Sequence, residues 1–170
     1  LLNSRFQNSM QQLITLFNFV RNYYRKLTVD LDDAKLTQQF CEGANHPAWI
    51  LGHLALSNDF IAVLLRQSKA LDEKWYKLFG PGSTLQSDRA IYPTKDELLA
   101  AFETTHVRGC ELALAATPTQ LAAPQNAFSP EAFPTVGDLL AHLMTTHPSS
   151  HLGQLSAWRR ANGLPSVLGI

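Results

Sequence analysis

The chain has 170 residues, 45% of them hydrophobic and 16% charged, with 14 lysines and arginines balancing 14 aspartates and glutamates. Such a chain is long enough to bury a sizeable core and is not disordered. Neutral charge without a basic run excludes a surface that tracks phosphates, so no nucleic-acid partner is expected.

The chain opens at Leu1, so its true start is expected to have been trimmed; no signal peptide is visible. Phe6, Met10, Leu13, Phe17, Val20, Tyr24 and Leu27 recur in steps of four and three, which predicts an amphipathic helix ending near Thr28, where "TVDLDDAKLTQQ" turns polar. A second helix begins at "NHPAW": Asn45 or His46 can cap it, and Pro47 suits the first helical position. Trp49, Leu56, Phe60 and Val63 then form an apolar series with Ile50, Leu54, Ile61 and Leu64 beside them. No apolar run approaches the roughly 20 residues of a bilayer span, so no membrane partner is expected. From Leu65 to Pro93 the sequence reads as a long connection with turns around "WYKLFGPGS".

Thr94 and Glu97 have the spacing of a capping box and open a third helix through Leu98, Phe102, Gly109 and Ala113, which Thr117 and Pro118 stop. After a proline-rich loop, Thr135 caps a fourth helix that runs through Val136, Leu139, Leu140 and Leu143 to about Ala161. "NGLP" ends it, with Gly163 suited to a left-handed cap. Neither a strand pattern nor an internal repeat stands out. The expectation is an all-α fold, one domain over residues 1–170, built as a four-helix bundle with long loops. Cys41 and Cys110, far apart, read as reduced thiols in a cytoplasmic protein, with a catalytic cysteine left open.

The fourth helix contains "TTHPSSHLGQLSAWRR", a histidine pair four residues apart with a proline inside it. At about 100° per residue from Val136, His147 falls near 20° and His151 near 60°, in the arc of Leu140, Met144, Gln154 and Trp158. His142 falls on the opposite face and is expected to be solvated. His53 lies between Trp49 and Leu56 on the inward face of the second helix. Three inward imidazoles without partners would each carry a desolvation penalty. One shared metal removes it, since side chains four apart on a helix are within about 6 Å at Cβ and imidazole suits zinc, nickel, copper or iron(II). Hydrogen-bonded core histidines remain an equally open reading of the spacing. Three protein ligands would leave a coordination position for water or substrate. His106 is placed in the core or at its boundary, with a ligand or supporting role open, and His46 is read as a helix-start residue. Asp59 and Glu103 could act as acids, but nothing ties them to the site. No glutamate follows the first histidine of the pair as in H-E-x-x-H peptidases, and no nucleophile elbow, P-loop or dinucleotide fingerprint is present.

"WILGHLA", together with "HxxxHLGQLxxxRR" and the following "NGLP", resembles the DinB/YfiT-like superfamily, over essentially the whole chain. The resemblance implies an up-down-down-up four-helix bundle, homodimers, and a divalent metal, zinc or nickel, held by His53, His147 and His151. It places Gln154 as a residue supporting the site or its packing. It also implies a metal-dependent enzyme using low-molecular-weight thiols such as bacillithiol or mycothiol; a pocket partly formed by Trp49 and Trp158 is expected around the metal. The reading is a cytoplasmic thiol transferase or hydrolase acting on a small molecule; the alternative is a non-catalytic metal- or ligand-binding stress-response protein. Pro148 departs from the family pattern and predicts a kink or bulge at Met144–Pro148.

Overall fold

Seven α-helices and two short 3₁₀ turns, with no strand, make up the regular structure among the described residues, 2–167, of the computed structural model. Side chains are described from Asn8 on, so the expected inward position of Phe6 lies outside the described residues. The helices are α1 (Leu2–Thr28), α2 (Pro47–Leu64), α3 (Glu73–Phe79), α4 (Lys95–Ala115), α5 (Pro118–Ala122), α6 (Val136–Met144) and α7 (Thr146–Ala161).

The long helices follow from the apolar spacing. α1 buries Met10, Ile14, Phe17, Val20, Tyr24 and Leu27 along one stripe, with Leu13 only half-buried. α2 is buried nearly all round from Pro47 to Asp59, as expected of a central helix. Its 18 residues have a mean hydropathy of 1.3, enough by length and composition for a membrane span, yet 89% of that window is buried within the bundle. Its far end emerges, leaving Val63, expected inward, exposed. His46 caps α2 through Nδ1, which accepts from the Trp49 amide at 3.1 Å, while Nε2 lies 3.2 Å from the Tyr92 hydroxyl.

Contacts between α1 and α4 run in opposite chain order, Phe17 stacking on His106 and Tyr24 on Phe102. The same holds for α2 and α7, where Asn45 meets Gln154 and His53 meets His147. At the far end of α7 the buried Arg159 donates to the Leu27 carbonyl and pairs with Asp30, tying α7 to the end of α1.

Two predicted loops contain helices. Asp72 caps α3 by accepting from the Trp75 amide, and the buried Asp59 accepts from the Ala70 and Leu71 amides, drawing this connection onto α2. Thr117 and Gln120 form a capping box, so the residues that stop α4 also start α5. The predicted boxes at Thr94–Glu97 and the cap at Thr135 are present, and Gly163 has φ +75°.

The predicted fourth helix is two helices. Thr145, at φ −131° and ψ −78°, separates α6 from α7. The expected irregularity between Met144 and Pro148 is therefore a break, and it falls before His147. Pro148 becomes the third residue of α7, in the first turn, where the amides have no partner within the helix. The missing N–H thus costs no helical hydrogen bond there.

Candidate metal centre

Because the break precedes it, the histidine pair sits on one regular helix. His147 and His151, one turn apart on α7, face His53 on α2. The three ring centroids are 5.1 Å (His53–His147), 4.7 Å (His53–His151) and 4.8 Å (His147–His151) apart. One donor nitrogen from each ring lies within 4.8 Å of the others.

Hydrogen bonds select which nitrogens face the centre. His53 Nδ1 is 2.7 Å from the carbonyl oxygen of Phe79. A carbonyl only accepts, so Nδ1 carries the proton and Nε2 keeps its lone pair. Phe79 is the last residue of α3, and its carbonyl is one of those a helix end leaves without a partner inside the helix. Gly52 permits this approach, since a Cβ there would lie 2.3 Å from the Phe79 ring. His151 Nδ1 is 3.2 Å from Gln154 Oε1, which also accepts from Asn45 at 3.2 Å, so His151 Nε2 is free in the same way. His147 Nε2 lies 3.2 Å from His53 Nε2, and its buried Nδ1 has no partner. Two imidazole lone pairs facing each other at that distance need a proton or a cation between them. Metal–nitrogen bonds of about 2.1 Å place two ligands of one ion roughly 3.0–3.4 Å apart. The His53–His147 pair is therefore spaced as two ligands of one divalent cation, with a nitrogen of His151 within 4.8 Å of both.

Burial keeps these rings neutral. It pushes His53 down to about 4, the Phe79 carbonyl opposing the effect and the nearby His151, which would repel a second charge, adding to it. Burial, with the nearness of the His151, His53 and His142 rings, pushes His147 down to about 3, and His151 is also lowered by burial, against the pull of Gln154. Neutral imidazole is the form that binds metal. In metal-free protein the unfolded chain takes up protons near pH 6.5, whereas the folded rings do not. Stability is therefore fully present above about pH 6.5 and falls as the pH drops toward about 4. For His53 and for the buried His106, also pushed down to about 4, the expected loss at pH 5 is on the order of 2 kcal/mol each. Urea midpoints of chelator-treated protein at pH 7 and pH 5 check this; an unchanged midpoint contradicts it.

Beside the rings is a cavity of about 280 Å³ that His53 and His147 help to line. Trp49 stacks on His53 with centroids 4.4 Å apart and tilts toward His151, its Nε1 donating to Ser83 Oγ at 2.8 Å. Trp158, expected beside it, is instead a core residue off the cavity wall, with Nε1 donating to the Gln38 carbonyl at 2.6 Å. His106 lies in the core between α1 and α4, against Phe17, Asn18 and Cys110, apart from the three-histidine group. His142 is only partly solvated: half-buried, it stacks on Phe133, approaches His147 and lines the cavity. Asp59 holds the α2–α3 connection, and Glu103 pairs with Arg21 and Arg25, so neither serves the centre. Both cysteines are free thiols, and burial raises Cys110.

A sequence model described as the DinB superfamily matches residues 16–155, a span that includes all three histidines. No curated protein matches the chain at a significant level.

Proposed function

From the chain's membership of the DinB superfamily, we propose that it binds a divalent metal through His53, His147 and His151 and acts as a low-molecular-weight-thiol transferase or hydrolase. The observation that carries this reading is that His53 and His151 are each tied at Nδ1, which leaves both Nε2 lone pairs beside His147, with His53 and His147 lining a cavity. A donor set of imidazoles alone suits zinc or nickel. A bound cation supplies Lewis acidity that lowers the pKa of a thiol or water. The Phe79 carbonyl fixes the tautomer of His53, Gln154 fixes that of His151, and Trp49 covers one face of His53 and screens it from water.

The same reading places the protein in the cytoplasm as a homodimer, with an up-down-down-up bundle. The opposite chain order of the α1–α4 and α2–α7 contacts, and the joining of the α1 and α7 ends at Arg159, support that topology. Exposed Leu16 and Phe19 on α1 support a dimer.

The test is turnover of a panel of electrophiles with bacillithiol, mycothiol and cysteine. Wild-type protein is expected to exceed free metal at equal concentration, and His53→Ala to fall to that background. Metal binding without turnover above the background would replace the enzyme with a metal-binding module.

A further inference from the structure

We propose that the cavity beside the histidine cluster binds an uncharged, flat, apolar molecule, which is the small-molecule reactant of the site. The inference rests on the proposed function only for the word reactant; the binding preference follows from the cavity itself.

The wall is apolar nearly throughout. Leu56 and Phe60 from α2, Leu139 and Leu143 from α6, and Phe128 from the loop before α6 make up most of it, and among the described residues no aspartate, glutamate, lysine or arginine lines it. Its polar side chains are largely engaged elsewhere. Ser57 donates to the His53 carbonyl on its own helix at 2.8 Å, and Tyr76 directs its hydroxyl at Asp59. His142 Nδ1 is 2.7 Å from Thr146 Oγ1. A charged group seated against these walls would lose its hydration without gaining a partner. At the His53 and His147 end the two Nε2 atoms face each other and the buried His147 Nδ1 has no partner, so an occupant has one reacting end and an apolar body.

The wall also has a shape. His142 stacks on Phe133 with centroids 4.4 Å apart and lies nearly parallel to Phe128, at 6.3 Å and 5°. Aromatic planes set this way favour another flat ring over a branched chain. Phe128 is 48% exposed yet firmly held. The buried Gln125 donates to the Phe128 and Phe133 carbonyls and accepts from the Ala127 and Phe128 amides, so one amide side chain organises the loop. A wall fixed before binding spares the occupant the cost of ordering it. At about 280 Å³ the cavity lies near the small end of ligand pockets, which suits one or two fused rings.

The probe is 1-fluoronaphthalene, followed by fluorine NMR on the protein as purified and again after chelation. Saturable binding is expected in both, weakened about tenfold in Phe128→Ala and restored in Phe128→Trp, with naphthalene-1,5-disulfonate failing to compete. Phe128 is exposed, so the alanine variant should fold, and circular dichroism verifies that. Binding that persists in His151→Ala, a residue off the cavity wall, supports the cavity independently of the cation. Absent saturation in the wild type, unchanged affinity in folded Phe128→Ala, or displacement by equal disulfonate each overturns the proposal. Probe binding in a wild type that holds no metal upholds the cavity and defeats only the metal reading.

Discussion

Replacing His151 with alanine is expected to strip the protein of metal. Wild type purified without an affinity tag should carry about one divalent ion per chain and the variant less than about 0.2, by elemental analysis. The reason is geometric: His53 and His147 alone leave two nitrogens 3.2 Å apart, a chelate without the third arm that α7 supplies one turn further on. The effect should reach stability, because a cation that binds only the folded chain stabilises it by mass action. At a thousandfold excess over Kd the gain is about 4 kcal/mol, or roughly 8–16 °C in Tm for a domain of this size. In His151→Ala that increment should vanish, so chelator no longer shifts the melting curve. Wild type with little metal and a melting curve indifferent to chelator would leave the three histidines as packing residues.

Gly52→Ala should damage the centre without touching a ligand. The new Cβ would stand 2.3–2.4 Å from three atoms of the Phe79 ring, which is fully buried and has no flexible end to move aside. Overpacking of this kind costs about 1–3 kcal/mol. The more informative loss is at His53, because the displaced Phe79 also carries the carbonyl that holds Nδ1. Removing the partner that orients a metal-binding histidine typically weakens affinity by about 10–100-fold. Metal titration beside urea denaturation separates the two effects. Unaltered affinity in a destabilised but folded variant would show that the Phe79 carbonyl does not orient His53.

The three histidines were readable from the sequence because each relation lay within one helix. His147 and His151 are four apart on α7, and His53 is bracketed by Trp49 and Leu56 on α2. His142 was set opposite the pair because the count from Val136, at about 100° per residue, ran through Thr145 to His147 and His151. The break there changes how α7 sits relative to α6, and His142, within α6, comes to line the same cavity as His147. Trp158 shares the angular arc of the pair but lies seven residues past His151, about 10 Å along the axis, which is why it packs in the core instead. α3 was read as a loop because seven residues give too few turns for a period to stand out. Its contribution to the centre is a backbone carbonyl, which no side-chain pattern announces. The caps fared best, since a capping box is a local exchange of hydrogen bonds between residues three apart.

The position of the break at Thr145 also governs the order in which the centre is assembled. Two of its arms belong to one short stretch of helix and come together as soon as that helix forms. The third lies 94 residues away in the chain and arrives only when α2 docks, after most of the loop-closure entropy has been spent. A cation bridging all three would therefore be absent from early, partly assembled states and would act as a latch on the finished fold. Its kinetic signature is slower unfolding with little change in the rate of folding.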